Sequence, residues 1–212
     1  MKDFSDVESD IQSTEELHNV TSGKPKWLRQ AIRDLMRHEG YREFAYPDPL
    51  SVLGRKYPPS QWGWGFKPAR EIFADILKKT GVAVKESQGQ PWTVGAGQTH
   101  GVTPDSTRTV EESAAELELS VKKHVKDLHR LYSGWEDAPD FVSSVLVDMI
   151  YNLGYDRFKQ FQPTIDTITA GKYKEAAARL RNTAWHRQVG DRAVELETRL
   201  ERQSIAPEHR VT

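Results

Sequence analysis

The stretch His38-Glu39-Gly40-Tyr41-Arg42-Glu43-Phe44-Ala45-Tyr46-Pro47-Asp48 passes through three kinds of local structure in eleven residues. Upstream of it, Trp27, Leu28, Ile32, Leu35 and Met36 recur at intervals of three to four. That spacing predicts an amphipathic helix, which Pro25 can open and Gly40 stops. From Arg42 to Tyr46, aromatic residues alternate with polar neighbours as in a short strand. Pro47-Asp48-Pro49 ends it, because proline cannot donate to a ladder. Much later, Trp92-Thr93-Val94-Gly95-Ala96-Gly97 opens a second strand that reads on to Gln98. Gly95 and Gly97 leave one edge of it bare, so that another group can approach the backbone closely.

Working outward, residues 1 to 22 carry six acids against Lys2 and few large apolar groups, which predicts an acidic arm or at most a marginal helix. Residues 50 to 90 have a different character. Trp62-Gly63-Trp64-Gly65-Phe66 precedes a helical run with Ile72, Phe73, Ile76 and Leu77, stopped by Gly81, and the segment reads as an insertion with its own small core. Trp62 and Trp64 are expected to pack that inserted helix rather than stack on a ligand. Thr109-Val110-Glu111-Glu112 fits a capping box, and Ala114, Leu117, Val121, Val125, Leu128 and Leu131 carry a long helix to about Tyr132. Residues 140 to 153 are apolar on nearly every side, which predicts a helix in the middle of a core, ended by Gly154. Short helices over 164–170 and 173–181 and a last one facing inward through Val189, Ala193, Leu196 and Leu200 complete an α+β chain that is predominantly helical.

Composition excludes several classes of function. The chain has 212 residues and a mean hydropathy of -0.70, enough for one sizeable core under a polar surface. It has no cysteine, so no disulfide, thiolate metal site or cysteine nucleophile can form. Its seven histidines lack the His-Glu-x-x-His spacing, and neither a metal nor a cofactor is expected. The net charge of -1 combines -5 over residues 1 to 22 with +4 elsewhere, too small and scattered an excess to predict nucleic-acid binding. No apolar stretch approaches a membrane span and the first residues do not read as an export signal, so no stable membrane insertion is expected.

Glu39 at a helix end and Asp48 in a turn nine residues on provide two carboxyl groups in unlike settings. A helix C-terminus disfavours negative charge, which suits a carboxylic acid that must arrive protonated, and a solvated turn suits an ionised partner. Glycosidic cleavage asks for that pairing. The helix ending in Glu39-Gly40, Tyr46-Pro47-Asp48-Pro49, Trp92-Thr93-Val94-Gly95-Ala96-Gly97, and the helical half with Met149-Ile150-Tyr151-Asn152-Leu153-Gly154 and Trp185 together resemble the phage-type lysozymes of glycoside hydrolase family 24. The resemblance covers roughly residues 25 to 202 apart from the insertion.

That resemblance implies a lysozyme-like, two-lobed fold with a small β-hairpin lobe, a larger helical lobe and a cleft between them. The boundaries it implies are an arm over 1–22 and one catalytic domain over 23–205. The domain divides into a small lobe at about 40–104, carrying an inserted flap at about 50–90, and a helical lobe at about 105–205. It implies Glu39 as general acid, Asp48 as the base that activates water, and Thr93 as the hydroxyl that positions it. Thr99, Tyr151, Thr164 and Arg179 fall where substrate contacts lie, though all four depart in type from the usual forms. Arg192 resembles an ion-pair partner of the catalytic glutamate, and Asn152 a supporting residue. Gln98 stands where histidine is common, with His100 close by.

The implied activity is that of a muramidase cleaving the β-1,4 bond between N-acetylmuramic acid and N-acetylglucosamine of bacterial peptidoglycan, with inversion, to lyse a host cell. A lytic transglycosylase and a non-catalytic peptidoglycan-binding virion protein are the alternatives. Asp48 and Thr93 favour hydrolysis, since both suit the handling of water. The expected partner is the glycan strand, met by a monomer. The chain is expected to stay in the host cytoplasm until a separate membrane-permeabilising protein releases it to the wall, or to travel in the virion.

Overall fold

The computed structural model describes residues 15–203. The first fourteen residues of the expected acidic arm lie outside the described residues, and Glu15–Thr21 forms a helix, α1, anchored by the buried Leu17. Helix α2 spans Lys26–Glu39 and ends at the predicted glycine, since Gly40 adopts φ 70 where a side chain would be strained. Strand β1, Arg42–Pro47, pairs antiparallel with β2, Trp92–Gly95, and Tyr46 lies opposite Thr93. The fold is α+β and predominantly helical, with this two-stranded sheet.

Between the strands come the short helices α3, Val52–Lys56, and α4, Pro59–Trp62, then α5, Ala69–Thr80, and a 3-10 turn at Glu86–Gly89. Their apolar residues do not form a separate core. Leu53, Tyr57, Trp64, Ile72 and Ile76 share one cluster with Ala45 of β1 and Trp92 and Val94 of β2. Trp64 meets Phe73 and Trp92 edge to face, its ring centroid 5.9 and 5.8 Å from theirs, and its indole nitrogen donates to the Tyr57 carbonyl at 2.9 Å. Trp62 meets Tyr57 edge to face at 5.3 Å and lies under Lys79. The expectation of an insertion with its own core is therefore corrected. Two short strands bury too little surface alone, and this segment covers their apolar face.

Helix α6, Val110–Leu131, opens with the predicted capping box: Glu112 accepts from the Thr109 amide at 2.9 Å, and Thr109 Oγ1 accepts from the Glu112 amide at 3.2 Å. Helix α7, Asp140–Phe158, is buried continuously from Val142 to Ile150. Gly154 breaks its helical geometry at φ 67 and ψ 168, and a further turn then runs to the buried Phe158, beyond the expected end of the helix. Helices α8, Gln162–Thr169, α9, Tyr173–Arg181, α10, Ala184–Val189, and α11, Asp191–Gln203, follow. Helix α9 packs against α8 and α11 through Ala176, Ala177 and Leu180, all buried.

The chain divides into two compact units. One comprises the described part of Met1–Gly23 with Ile32–Leu117, and the other Lys24–Ala31 with the described part of Glu118–Thr212. Glu39, Asp48, Thr93 and Thr99 belong to the first, and Tyr151, Asn152, Thr164, Arg179 and Arg192 to the second.

Candidate active site

The first unit brings Glu39, Asp48 and Thr93 into one neighbourhood through three backbone devices. Glu39 is the last residue of α2, half-buried. A methyl group placed on Gly97 would lie 3.8 Å from Glu39 Oε2, so the carboxyl group rests against the bare edge at the end of the second strand segment. That segment is shorter than the expected run to Gln98. The strand stops at Gly95 with φ 63, and the chain folds back so that Val94 and Gln98 exchange backbone bonds of 2.9 and 3.0 Å. Only glycine adopts positive φ at both 95 and 97 without strain, and this tight return puts Gly97 beside Glu39.

Asp48 follows β1 and is held by its backbone. Its amide donates to the carbonyls of Gly89 and Pro91, and its own carbonyl accepts from Ser51. Its Oδ1 accepts from the Leu50 amide at 2.6 Å, the short-range bond typical of a turn aspartate. A second constraint fixes the same turn: a methyl group on Gly54 would meet the Asp48 carbonyl oxygen at 2.2 Å, so α3 lies close against it.

Thr93 sits on β2 opposite Tyr46, and residues directly opposite in an antiparallel pair point to the same face. Burial alternates accordingly. Ala45, Pro47, Trp92 and Val94 are buried, while Arg42, Phe44, Tyr46 and Thr93 are half-buried on the other face. The Tyr46 hydroxyl feels every member of the group. Burial pushes it above its ordinary range, Arg42 and a hydrogen bond with Thr93 act against that, and Glu39 and Asp48 act with it. Sequence reading treats Tyr46 as a strand residue of the motif and gives it no part in the chemistry. The signal was its place two residues before Asp48, but the register that sets it against Thr93 is invisible across 46 intervening residues. Thr99 is exposed in the turn just beyond Gln98.

In the second unit, Thr164 is buried at the wall of a pocket of ≈ 570 Å³ that Leu153, Arg157, Phe161 and Trp185 also line. Asn152 orients that wall by accepting from the Trp185 indole at 2.7 Å. Tyr151 packs on His124, ring centroids 5.2 Å apart. Arg179 points elsewhere in the same unit, its guanidinium bonded to Glu175 one turn back at 3.2 and 3.1 Å. Arg192 donates its Nε to the fully buried Asp148 at 2.8 Å. Among the described residues no group of acidic and histidine side chains is placed to hold a metal, and no helix is long and apolar enough to cross a membrane.

The sequence model of the family described as phage lysozyme matches residues 79–203. The SAR-endolysin of Escherichia phage P1 is 30% identical over 70 residues, 33% of this chain. The match spans 37% of that relative's own length.

Proposed function

The chain belongs to the phage lysozyme family, and on that premise we propose that it is a muramidase that hydrolyses the β-1,4 bond between N-acetylmuramic acid and N-acetylglucosamine in peptidoglycan. Glu39 acts as general acid and protonates the leaving oxygen while positive charge develops at the anomeric carbon. Asp48 takes a proton from the attacking water, and Thr93 holds that water. Attack from the face opposite the leaving group inverts the anomeric centre. Thr99, Tyr151 and Thr164 contact the glycan, and Asn152 supports the wall beside Thr164 through the Trp185 indole.

One observation carries this reading: Glu39 Oε2 rests against Gly97 in the return that follows Thr93, while Thr93 lies opposite Tyr46, two residues before Asp48, whose amide is bonded to Pro91 just before the same strand. Three residues scattered over 55 positions thus share one small region of one unit. In this reading the protein waits in the host cytoplasm for a membrane-permeabilising partner, or is carried in the virion.

Purified peptidoglycan digested with wild type and with Glu39→Gln tests the assignment, the new sugar ends being identified by mass spectrometry. Reducing muramic acid ends produced by wild type alone are expected. Anhydro ends would instead identify a lytic transglycosylase, and equal digestion by the variant would remove Glu39 from the role of acid.

A further inference from the structure

A water that attacks an anomeric carbon must direct a lone pair at the carbon, so both of its hydrogens need acceptors elsewhere. In the site proposed above, Asp48 accepts one. The other falls to Thr93 Oγ1, which can accept it only if its own hydrogen is turned away. A threonine hydroxyl has a single hydrogen and rotates freely unless something receives it.

The strand pair provides a receiver. Tyr46 is the cross-strand partner of Thr93, on the same face of the sheet. Its ring packs against the cluster built by residues 53–76 and both strands, which fixes the phenol in place. We propose that Tyr46 is a positioning residue: its phenol oxygen accepts the Thr93 hydroxyl hydrogen and thereby leaves a Thr93 lone pair facing the attacking water. Burial pushes the phenol above its ordinary range and keeps it neutral, so Tyr46 neither takes nor gives a proton in the reaction. The water's proton passes to Asp48, and the Tyr46 and Thr93 hydrogens stay where they are.

This inference rests on the muramidase reading, and a double-mutant cycle separates the two. Tyr46→Phe, Thr93→Val and the double variant are assayed on soluble uncross-linked glycan strands, with Glu39→Gln as control. Tyr46→Phe keeps the ring and its packing, so an unchanged thermal midpoint is expected. Its kcat should fall about tenfold, the scale of one hydrogen bond, with KM unchanged. On the Thr93→Val background the same substitution should cost nothing, because the hydroxyl it orients is gone, whereas on Thr93→Ser the cost should return. Full kcat in Tyr46→Phe, additive losses in the double variant, or a loss confined to KM would each overturn the positioning role while leaving the muramidase reading intact. A Glu39→Gln variant as active as wild type would overturn both.

Discussion

Helix α7 and the strand pair are both held by burial, yet they use it differently. From Val142 to Ile150 every residue of α7 is buried, Ser143, Ser144 and Asp148 included, so the helix contributes to the core in all directions. The strand pair divides its residues by parity. One face, with Ala45, Trp92 and Val94, is buried in the cluster with Trp64 and Ile72, and the other carries the half-buried Tyr46 and Thr93, although the Tyr46 ring also packs against that cluster. A buried helix tolerates exchange of one apolar side chain for another of like volume. A two-faced strand does not tolerate a slip of one residue, because that would send the reacting face into the core.

Substitutions can break this contrast, beginning with the largest effect. Glu39→Gln should lower kcat by up to about 10⁴-fold, or ~5.5 kcal/mol on the barrier, since general-acid catalysis reaches that scale. Its thermal midpoint should match wild type, because a half-buried residue at a helix end is replaced by one of the same shape. Unchanged turnover in peptidoglycan digestion would detach chemistry from this face altogether. Trp64→Ala comes next. It removes a side chain that is 1% exposed and touches both Phe73 and Trp92, so it should destabilise the unit by about 4 kcal/mol. Activity should be lost with the same denaturant midpoint as the fold, because the segment supports the strands. If the variant unfolded normally yet lost activity, Trp64 would belong to the substrate surface instead.

How much of this was legible in the sequence follows the same division. The position of α6 could be read from apolar residues every three to four positions and that of α7 from a run apolar on nearly every side, because neither signal needs knowledge of the partner. The end of α2 at Glu39 was legible too, through Gly40. What could not be read depends on partners far along the chain. The cluster that fuses residues 53–76 with Ala45, Trp92 and Val94 needs the antiparallel pairing before it exists, so the segment looked self-contained. The shortening of the second strand at Gly95 was hidden for a related reason. Glycine permits a positive φ but does not require one, and the return that places Gly97 beside Glu39 is set by the Val94 to Gln98 bonds. Arg179 sits at its expected place in the sequence, but Glu175 one helical turn earlier claims its guanidinium.

The helical side of the contrast is sharpened by a conservative change. Ile150→Val in the buried centre of α7 should cost about 1 kcal/mol of unfolding free energy, the usual loss for one buried methyl group. Denaturant unfolding measures it, and kcat on glycan strands should stay at the wild-type value. A fall in kcat of more than about tenfold would exceed what that methyl group contributes to stability and would tie the buried centre of α7 to the reaction.

The smallest effect lies in the same unit as α7, on helix α6, where charge replaces burial. Glu118 accepts from Lys122 one turn on and from Lys24, both at 2.7 Å. These two ammonium groups hold its carboxyl below the ordinary carboxylate value of 4.5. A carboxyl lowered on folding binds its proton less readily in the folded state than in the unfolded one. The stabilisation is therefore complete above pH 4.5 and disappears as pH falls through the lower folded value. Lys122 is more than half exposed, so solvent screens the pair and Glu118→Gln should cost only about 0.5 kcal/mol at neutral pH. The difference between wild type and variant should shrink in strong salt and vanish at the acid end of that window. Thermal melts at neutral pH and at the acid end of that window would show it, and a difference that persisted in acid would mean that Glu118 contributes through packing of its stem rather than through its charge.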